Sequence, residues 1–279
     1  RGNVSEGFGM WKSENGGRSW KNVGLNDTRH IMRIVIHPKD ENVIYVAALG
    51  HLFGPNAERG VFRSKNGGQS WEKILYVNDQ VGACDLVIDP TDPNILLATF
   101  WNVKRTPFSL ESGGPGSGIY KTIDNGKNWE YKGLPESHHI GKIQLHPTNE
   151  NIAWVAVLGH LYSPNKERGV YKTTDGGRSW KQTLFVDDNT GAVDLDISST
   201  NPNELYAAMW YRTRRAWKFE ESGKSSGIYK SSDGGENWTM ISGPGSGFMT
   251  GDKIGRIGIA VYPKNPSLVW AVVDNNTPK

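Results

Sequence analysis

Basic and aromatic residues are concentrated in two segments, residues 102–116 and 211–225, each of which begins next to a tryptophan. Arginine forms paired hydrogen bonds with carboxylates, and tryptophan stacks on sugar rings and peptide groups. Together they predict a binding site for an anionic ligand or a sugar. In the alternative interpretation the tryptophans fill gaps between sheets and the arginines are solvated. The predicted ligand-binding residues are Trp101, Arg105, Trp210, Arg212, Arg214 and Trp217.

Carboxylates could supply a different chemistry, because a glycosidase needs two of them about 5 Å or about 6.5–9.5 Å apart. Asp85 and Asp194 are the candidates for catalysis, since both lie in predicted inner strands. They occupy equivalent positions of an internal repeat, however, and a catalytic pair is expected to break a repeat. His51 and His160 could be acid–base groups or metal ligands, but their neighbours are typical of turns. We therefore predict no metal site and no cofactor.

An eight-residue motif, S/T-x-D/N-x-G-x-S/N-W, occurs five times and ends at tryptophans spaced 51, 58, 51 and 58 residues apart. Asp or Asn followed by glycine supplies residues that tolerate positive φ, so each motif predicts a hairpin turn between two strands. The acidic or amide residue could bind calcium or sugar, but stabilisation of its own turn is the favoured interpretation. These structural positions are Asn15, Asn66, Asp124, Asp175 and Asp233.

Each interval between motifs contains two more strand signals, and four short strands per period of about 40–50 residues are typical of propeller blades. The sequence thus predicts an all-β propeller of four-stranded antiparallel blades, with residues 1–279 as a single domain. Five blades' worth of strands form either a closed five-bladed ring or an arc of a larger propeller. The predicted boundaries are a half-blade at 7–24, blades at 29–78, 79–135, 137–187 and 188–243, and a half-blade at 254–274.

Composition excludes several classes of protein. A net charge of +3 in 279 residues is too small to predict a nucleic-acid partner. No apolar run approaches the roughly 18 residues of a membrane span. The single cysteine, Cys84, cannot form an internal disulfide and is predicted to be a buried core residue.

The five motifs resemble the Asp-boxes, or BNR repeats, of sialidases, sortilin-type propellers and xyloglucan-cleaving glycoside hydrolases. The chain is most similar to bacterial BNR-repeat, sortilin-like proteins, which are often labelled glycosyl hydrolases. Their chains are longer, which favours the arc over the closed ring. The resemblance implies an extracytoplasmic location, meaning periplasmic, cell-surface or secreted. It also implies that the Asp-boxes lie on outer hairpins, away from any active site. Sialidase activity is not expected, because the Phe-Arg-Ile-Pro motif is absent; residues 29–32 read Arg-His-Ile-Met.

Three functions remain open at this point. The leading prediction is a propeller that binds a peptide, protein or glycan at its loop-rich face and is not an enzyme. The alternatives are a glycoside hydrolase acting on a polysaccharide and a structural propeller segment of a larger multidomain protein. A hydrolase should present two non-equivalent carboxylates, whereas a binding protein should present a basic and aromatic surface without such a pair.

Overall fold

The computed structural model describes residues 5–215 and 217–275, and these residues form strands, turns and two short 3₁₀ turns. The 3₁₀ turns are Asn26–Thr28 and Pro135–Ser137. The strands are β1 (Trp11–Lys12), β2 (Lys21–Asn22), β3 (Ile31–His37), β4 (Asp40–Ala48), β5 (Gly60–Ser64), β6 (Glu72–Leu75), β7 (Val81–Ile88), β8 (Leu96–Arg105), β9 (Leu110–Ser112), β10 (Gly118–Thr122), β11 (Glu130–Tyr131), β12 (Ile140–Leu145), β13 (Ala153–Val157), β14 (Gly169–Thr173), β15 (Lys181–Leu184), β16 (Thr190–Ile197), β17 (Leu205–Tyr211), β18 (Thr213–Arg214), β19 (Phe219–Glu220), β20 (Gly227–Ser231), β21 (Thr239–Met240), β22 (Ile254–Val261) and β23 (Val269–Asn275).

Four sheets have the antiparallel four-strand order of a propeller blade, which confirms the predicted all-β propeller fold. Their orders are β3-β4-β5-β6, β7-β8-β10-β11, β12-β13-β14-β15 and β16-β17-β20-β21. Strand β9 pairs with the end of β8, and β1–β2, β18–β19 and β22–β23 are two-stranded sheets. In each four-stranded sheet the third and fourth strands are joined through an Asp-box turn.

The chain divides into two compact units, one ending at Pro135 and the other beginning at Glu136. Unit 1 contains β1 to β11, and unit 2 contains β12 to β23. The division falls between the predicted blades 79–135 and 137–187. The single domain of the sequence analysis stays a prediction.

Apolar side chains from successive sheets form the core within each unit. In unit 1, Tyr45 and Ala47 of β4 pack with Leu86 of β7 and Phe100 of β8. In unit 2, a similar cluster joins the β12–β15 sheet to the β16–β21 sheet, and another joins the latter to β22. The middle strands are buried on both faces because a sheet packs on each side. Their sequences are therefore nearly continuous runs of apolar residues. Cys84 is buried, as predicted.

The Asp-box turns are closed by hydrogen bonds between their own residues. In the third box, Asp124 Oδ1 accepts the Asn128 backbone N–H at 2.9 Å and the Thr122 hydroxyl at 2.7 Å. The backbone and side-chain N–H groups of Asn128, with Thr122, lower the pKa of Asp124 to about 2. Asn125 and Gly126 have φ of 62° and 80°, which explains the Asn/Gly preference of the motif. In the other four boxes the equivalent side chain also accepts the backbone N–H of the residue four positions later; these side chains are Asn15, Asn66, Asp175 and Asp233.

Candidate anion-binding site

The long segment of unit 1 is a hairpin rather than an open loop. Strand β8 continues to Arg105 and pairs with β9, so the segment extends the blade. The Trp101 indole N–H donates to Ser112 Oγ at 3.0 Å, and the backbone N–H of Arg105 donates to Leu52 O at 2.7 Å. Phe108, between the two strands, is 96% exposed.

The corresponding segment of unit 2 forms a second hairpin, β18–β19, and contains three of the predicted ligand-binding residues, directly after a fourth, Trp210. Trp210 is buried and donates its indole N–H to Glu221 O at 2.6 Å. This hydrogen bond fixes the chain just after β19 to the buried indole. Trp217 lies between β18 and β19 with 80% of its surface exposed. An exposed indole at this position is available for stacking on a ligand.

Arg212 and Arg214 lie over aromatic rings of this hairpin. The Arg212 guanidinium carbon is 4.7 Å from the Trp210 ring centroid and 5.2 Å from that of Phe219. Arg214 lies 5.3 Å from the Phe219 centroid. Arg256, which the sequence analysis did not single out, approaches Trp210 from β22 at 5.9 Å. We call Arg212, Arg214 and Arg256 the arginine cluster.

The electrostatics of the arginine cluster favour an added anion. Burial and, to a smaller extent, the positive charges of Arg214, Arg168 and Arg256 lower the pKa of Arg212 to about 10, while the negative charge of Glu221 opposes this shift. The buried Nε of Arg212 has no hydrogen-bond partner among the described residues. Across residues 5–215 and 217–275, no carboxylate forms an ion pair with any member of the cluster. A carboxylate bound here would supply the missing charge and acceptor.

A buried arginine fixes the main chain beneath the cluster. Arg168 is 1% exposed and donates to Asn189 O at 2.8 Å, His160 O at 2.8 Å and Arg212 O at 3.1 Å. It thereby joins the β13–β14 loop, the turn before β16 and the β18–β19 hairpin. In unit 1, Arg59 makes the equivalent bonds to Gln80, His51 and Val103 carbonyls. Both arginines therefore order their loops through main-chain oxygens.

The repeat offset of 109 residues shows where the two hairpins differ. Trp101 aligns with Trp210, and Arg105 with Arg214, so the paired basic and aromatic positions are duplicated. Arg212, however, aligns with Val103. The arginine cluster is thus a property of unit 2, although both hairpins are held by the same buried arginine.

Two openings flank the unit 2 hairpin, and their charges differ. Arg214 and Arg215 line a cleft against the β13–β14 loop, together with Tyr162 and Pro164. A second, wider groove is lined by Phe219, by Lys224 and by the carboxylates of Asp187, Glu220, Glu221 and Asp252. An anionic ligand would be repelled by the four carboxylates of this groove, so the cleft at Arg214 and Arg215 is the candidate anion-binding surface.

The carboxylates considered for catalysis form hydrogen bonds and ion pairs with residues of neighbouring sheets. Asp85 is 1% exposed, and its Oδ1 accepts from Arg33 Nε at 2.6 Å. Asp194 lies 3.8 Å from Lys142 Nζ, and its Oδ2 accepts the backbone N–H of Ile259 at 2.9 Å. Arg33 and Lys142 are equivalent in the repeat, as are the two aspartates. Each aspartate therefore links two neighbouring sheets of its own unit.

The sequence analysis considered His160 as a metal ligand but did not predict the cluster to which it belongs. His160 of unit 2 stacks on His138, with ring centroids 3.7 Å apart, and Glu136 lies beside both. Neither Glu136 nor His138 belongs to a recognisable motif, and His160 follows 22 residues after His138. The His-His pair at 138 and 139 is the feature that could have drawn attention to it.

Comparisons with known proteins agree with this fold. A family model described as Sortilin, neurotensin receptor 3, matches residues 116–255, half of the chain. The vacuolar protein sorting/targeting protein 10 of Kluyveromyces lactis is 32% identical over 95 residues, which cover 32% of this chain and 6% of that protein.

Solved structures with a similar fold include two GH74 enzymes. An ancestral GH74 enzyme is 19% identical with a TM-score of 0.67, covering 92% of this chain and 31% of that chain. The GH74 xyloglucanase of Xanthomonas campestris is 16% identical with a TM-score of 0.66, covering 96% of this chain and 39% of that chain. The chain thus spans well under half the length of these proteins, and at such identities the likeness concerns the fold. Through its repeated Asp-box blades and the match over residues 116–255, the chain belongs to the sortilin/Vps10 family.

Proposed function

We propose that this chain is an extracytoplasmic binding propeller that captures a carboxylate-bearing peptide or protein segment at the arginine cluster of unit 2. The observation that carries the proposal is the arginine cluster itself. Arg212 is packed between two aromatic rings, has neighbouring arginines and lacks an ion-pair partner among the described residues. The exposed Trp217 adds an apolar surface next to this charge.

The comparisons favour a peptide over a glycan as the ligand. The matched family model carries the name of a receptor, and the yeast relative carries the name of a protein-sorting factor. Peptides present carboxylates at Asp, Glu and the chain terminus, and each can form a bidentate pair with a guanidinium. Acidic glycans offer the same carboxylate, so they serve as the competing class in the test.

A glycoside hydrolase remains the alternative, but no specific observation favours it. The GH74 likeness concerns the fold, and Asp85 and Asp194 are committed to ion pairs or backbone hydrogen bonds within their own units.

The test is a binding screen of the whole chain against peptides with free and amidated C-termini and against acidic oligosaccharides. For a peptide found in this screen, Arg212→Val and Arg214→Ala should each weaken binding about tenfold to a hundredfold, the loss expected for a charge-assisted hydrogen bond. Val103 occupies the aligned position in unit 1, so Arg212→Val introduces the residue that the equivalent hairpin of unit 1 contains.

The matched control is Arg105→Ala, which removes the residue aligned with Arg214 in the other unit. This variant should retain the wild-type dissociation constant. Unchanged binding in both Arg212→Val and Arg214→Ala would refute the assignment of the site. Preferential binding of acidic oligosaccharides, lost in the same variants, would keep the site and replace the peptide by a glycan.

A further inference from the structure

Unit 2 brings two imidazoles and one carboxylate into a single cluster. The side-chain ligand atoms of Glu136, His138 and His160 all lie within 4.8 Å of one another. The two rings are stacked, with centroids 3.7 Å apart and 15° between their planes. His160 Nε2 is 4.0 Å from Glu136 Oε2 and 2.9 Å from the Glu136 main-chain oxygen.

The backbone holds these groups at one end of the β12–β13 pair. Glu136 belongs to the 3₁₀ turn Pro135–Ser137, which is closed by Leu134 and His138 at φ of 59° and 54°. His160 follows β13 by a few residues, and the Leu158 N–H donates to His139 O at 2.9 Å. The turn and the loop are therefore tied together by the sheet, and the side chains meet without any contribution from distant parts of the chain.

Unit 1 contains the same turn with a different charge arrangement. The 3₁₀ turn Asn26–Thr28 is flanked by Leu25 and Arg29 at φ of 55° and 58°. At the repeat offset, Asp27 aligns with Glu136, Arg29 with His138 and His51 with His160. Arg29 lies 4.0 Å from Asp27 and 3.9 Å from Glu6, so unit 1 supplies its own cation beside the acid. In unit 2 an imidazole replaces this arginine.

We propose that Glu136, His138 and His160 bind a divalent transition-metal ion, with Zn²⁺ as the ion that fits best. Two imidazoles and a carboxylate are a ligand set of zinc sites, which leaves one position open. Imidazole nitrogens select Zn²⁺ and its neighbours over the hard ions Mg²⁺ and Ca²⁺. The metal replaces the positive charge that Arg29 provides in unit 1.

Binding requires the cluster to contract and the two rings to turn out of their stack, because the lone pair of an imidazole nitrogen lies in the plane of its ring. Ligand atoms about 2.0–2.1 Å from a tetrahedral ion are about 3.3 Å from one another. The side chain of Glu136 is 73% exposed and rotates without losing packing, and His160 gives up its hydrogen bond to the Glu136 main-chain oxygen. The fixed turn at His138 supplies the rigid part of the site.

The metal would connect the turn to the loop that lines the anion-binding cleft. Residues Leu161, Tyr162, Ser163 and Pro164 follow His160 directly and face Arg214 and Arg215 across that cleft. The site is distinct from the arginine cluster, so it does not depend on the proposed peptide ligand.

The experiment is a titration of the whole, tag-free chain with ZnCl₂, followed by calorimetry and X-ray absorption. We expect one Zn²⁺ per chain, bound through nitrogen and oxygen donors that include two imidazoles. His138→Arg copies the residue of unit 1, so it should preserve the fold while it weakens binding at least tenfold. His160→Ala should weaken it similarly, and His51→Ala, the matched control in unit 1, should leave it unchanged.

Circular dichroism and thermal unfolding in the absence of zinc establish that each variant is folded. Zinc affinity that survives both His138→Arg and His160→Ala overturns the proposal, as does a wild-type chain that binds no zinc. An X-ray absorption spectrum without scattering from imidazole ligands would also overturn the proposal. Competition by a large excess of Mg²⁺ or Ca²⁺ would also contradict the assignment, because these ions do not favour imidazole ligands.

Discussion

Single buried arginines organise the loops of both units. Arg59 and Arg168 are each almost fully buried, and each spreads its guanidinium over carbonyl groups from three separate segments. A planar guanidinium has five N–H donors in a fixed arrangement, so one side chain can satisfy several buried carbonyls at once. Burial lowers the pKa of Arg168 to about 10, opposed by Asp187 and Asp188, and the group stays charged at neutral pH.

Replacement of this guanidinium by an ammonium should therefore lower the free energy of unfolding. Lysine at position 168 reaches fewer carbonyls, and each lost hydrogen bond from a charged donor costs about 1.5–3 kcal/mol. We expect Arg168→Lys to lower the free energy of unfolding by about 2–4 kcal/mol in urea titrations. Arg178→Lys changes an exposed arginine of the fourth Asp-box and should have almost no effect. Equal stabilities of the two variants would contradict this role of Arg168.

The Asp-box carboxylates predict a specific response to acid. Hydrogen bonds from Asn128 and Thr122 lower the folded-state pKa of Asp124 to about 2, below its value in the unfolded chain. Between about pH 4 and pH 2 the unfolded chain therefore binds more protons, and stability falls as the pH falls. The hydrogen bonds of its own box hold the pKa of Asp233 low in the same way.

This effect can be isolated with Asp124→Asn, because Asn15 and Asn66 occupy the same position in other boxes. The amide accepts the backbone hydrogen bond but does not titrate. We expect the melting temperature of the wild type to fall more steeply than that of Asp124→Asn between about pH 4 and pH 2. Parallel pH profiles would show that this carboxylate does not contribute to acid sensitivity.

At the scale of the strands, close contact between successive sheets depends on two equivalent glycines. A Cβ added at Gly191 of β16 would lie 2.6 Å from Leu158 O, and one at Gly82 of β7 would lie 2.4 Å from Leu49 O. Both obstacles are backbone atoms at the ends of neighbouring strands. The sheets could accommodate a methyl group here only by moving apart.

Gly191→Ala should consequently destabilise the protein by about 1–3 kcal/mol, the usual cost of overpacking. Gly141→Ala is the matched control in the same unit, since its added Cβ would have no neighbour closer than 3.9 Å. Chemical denaturation of the two variants measures the difference. Stabilities that agree within the experimental error would show that the sheets adapt to the extra methyl group.

Much of this element structure could be predicted from the sequence because it rests on local signals. The alternation of apolar residues indicated the strands, and the Asp-box residues indicated the turns between them. The hairpins β8–β9 and β18–β19 were predicted as loops, because ladders of two or three residues lack a measurable period. The Arg168 contacts and the cluster of Glu136, His138 and His160 depend on segments that only the folded sheets bring together.

At the scale of the whole chain, two apolar sheet faces are exposed, one in each unit. Met32, Ile34 and Ile36 on the edge strand β3 are about half exposed or more, and Val272 of β23 is 74% exposed. No helix in the described parts of the chain is long and apolar enough to cross a membrane. Contiguous apolar patches on sheet edges promote association of protein molecules.

We therefore expect the chain on its own to self-associate at high concentration. Ile36→Lys and Val272→Lys place a charge on each exposed face and should shift sedimentation profiles towards the monomer. Ile123→Lys changes an apolar residue that is 70% exposed but belongs to an Asp-box turn, and it should leave the profile unchanged. A monomeric wild-type chain at all concentrations would contradict this expectation.

The packing of Arg212 on Trp210 also has an optical consequence. Indole emission responds to the electric field across the ring, and the guanidinium lies 4.7 Å from the ring centroid of an indole shielded from solvent. A carboxylate that pairs with Arg212 cancels part of that field and shifts the emission of Trp210. Under the proposed function, the fluorescence of Trp210 would therefore report the binding of an anion at Arg212.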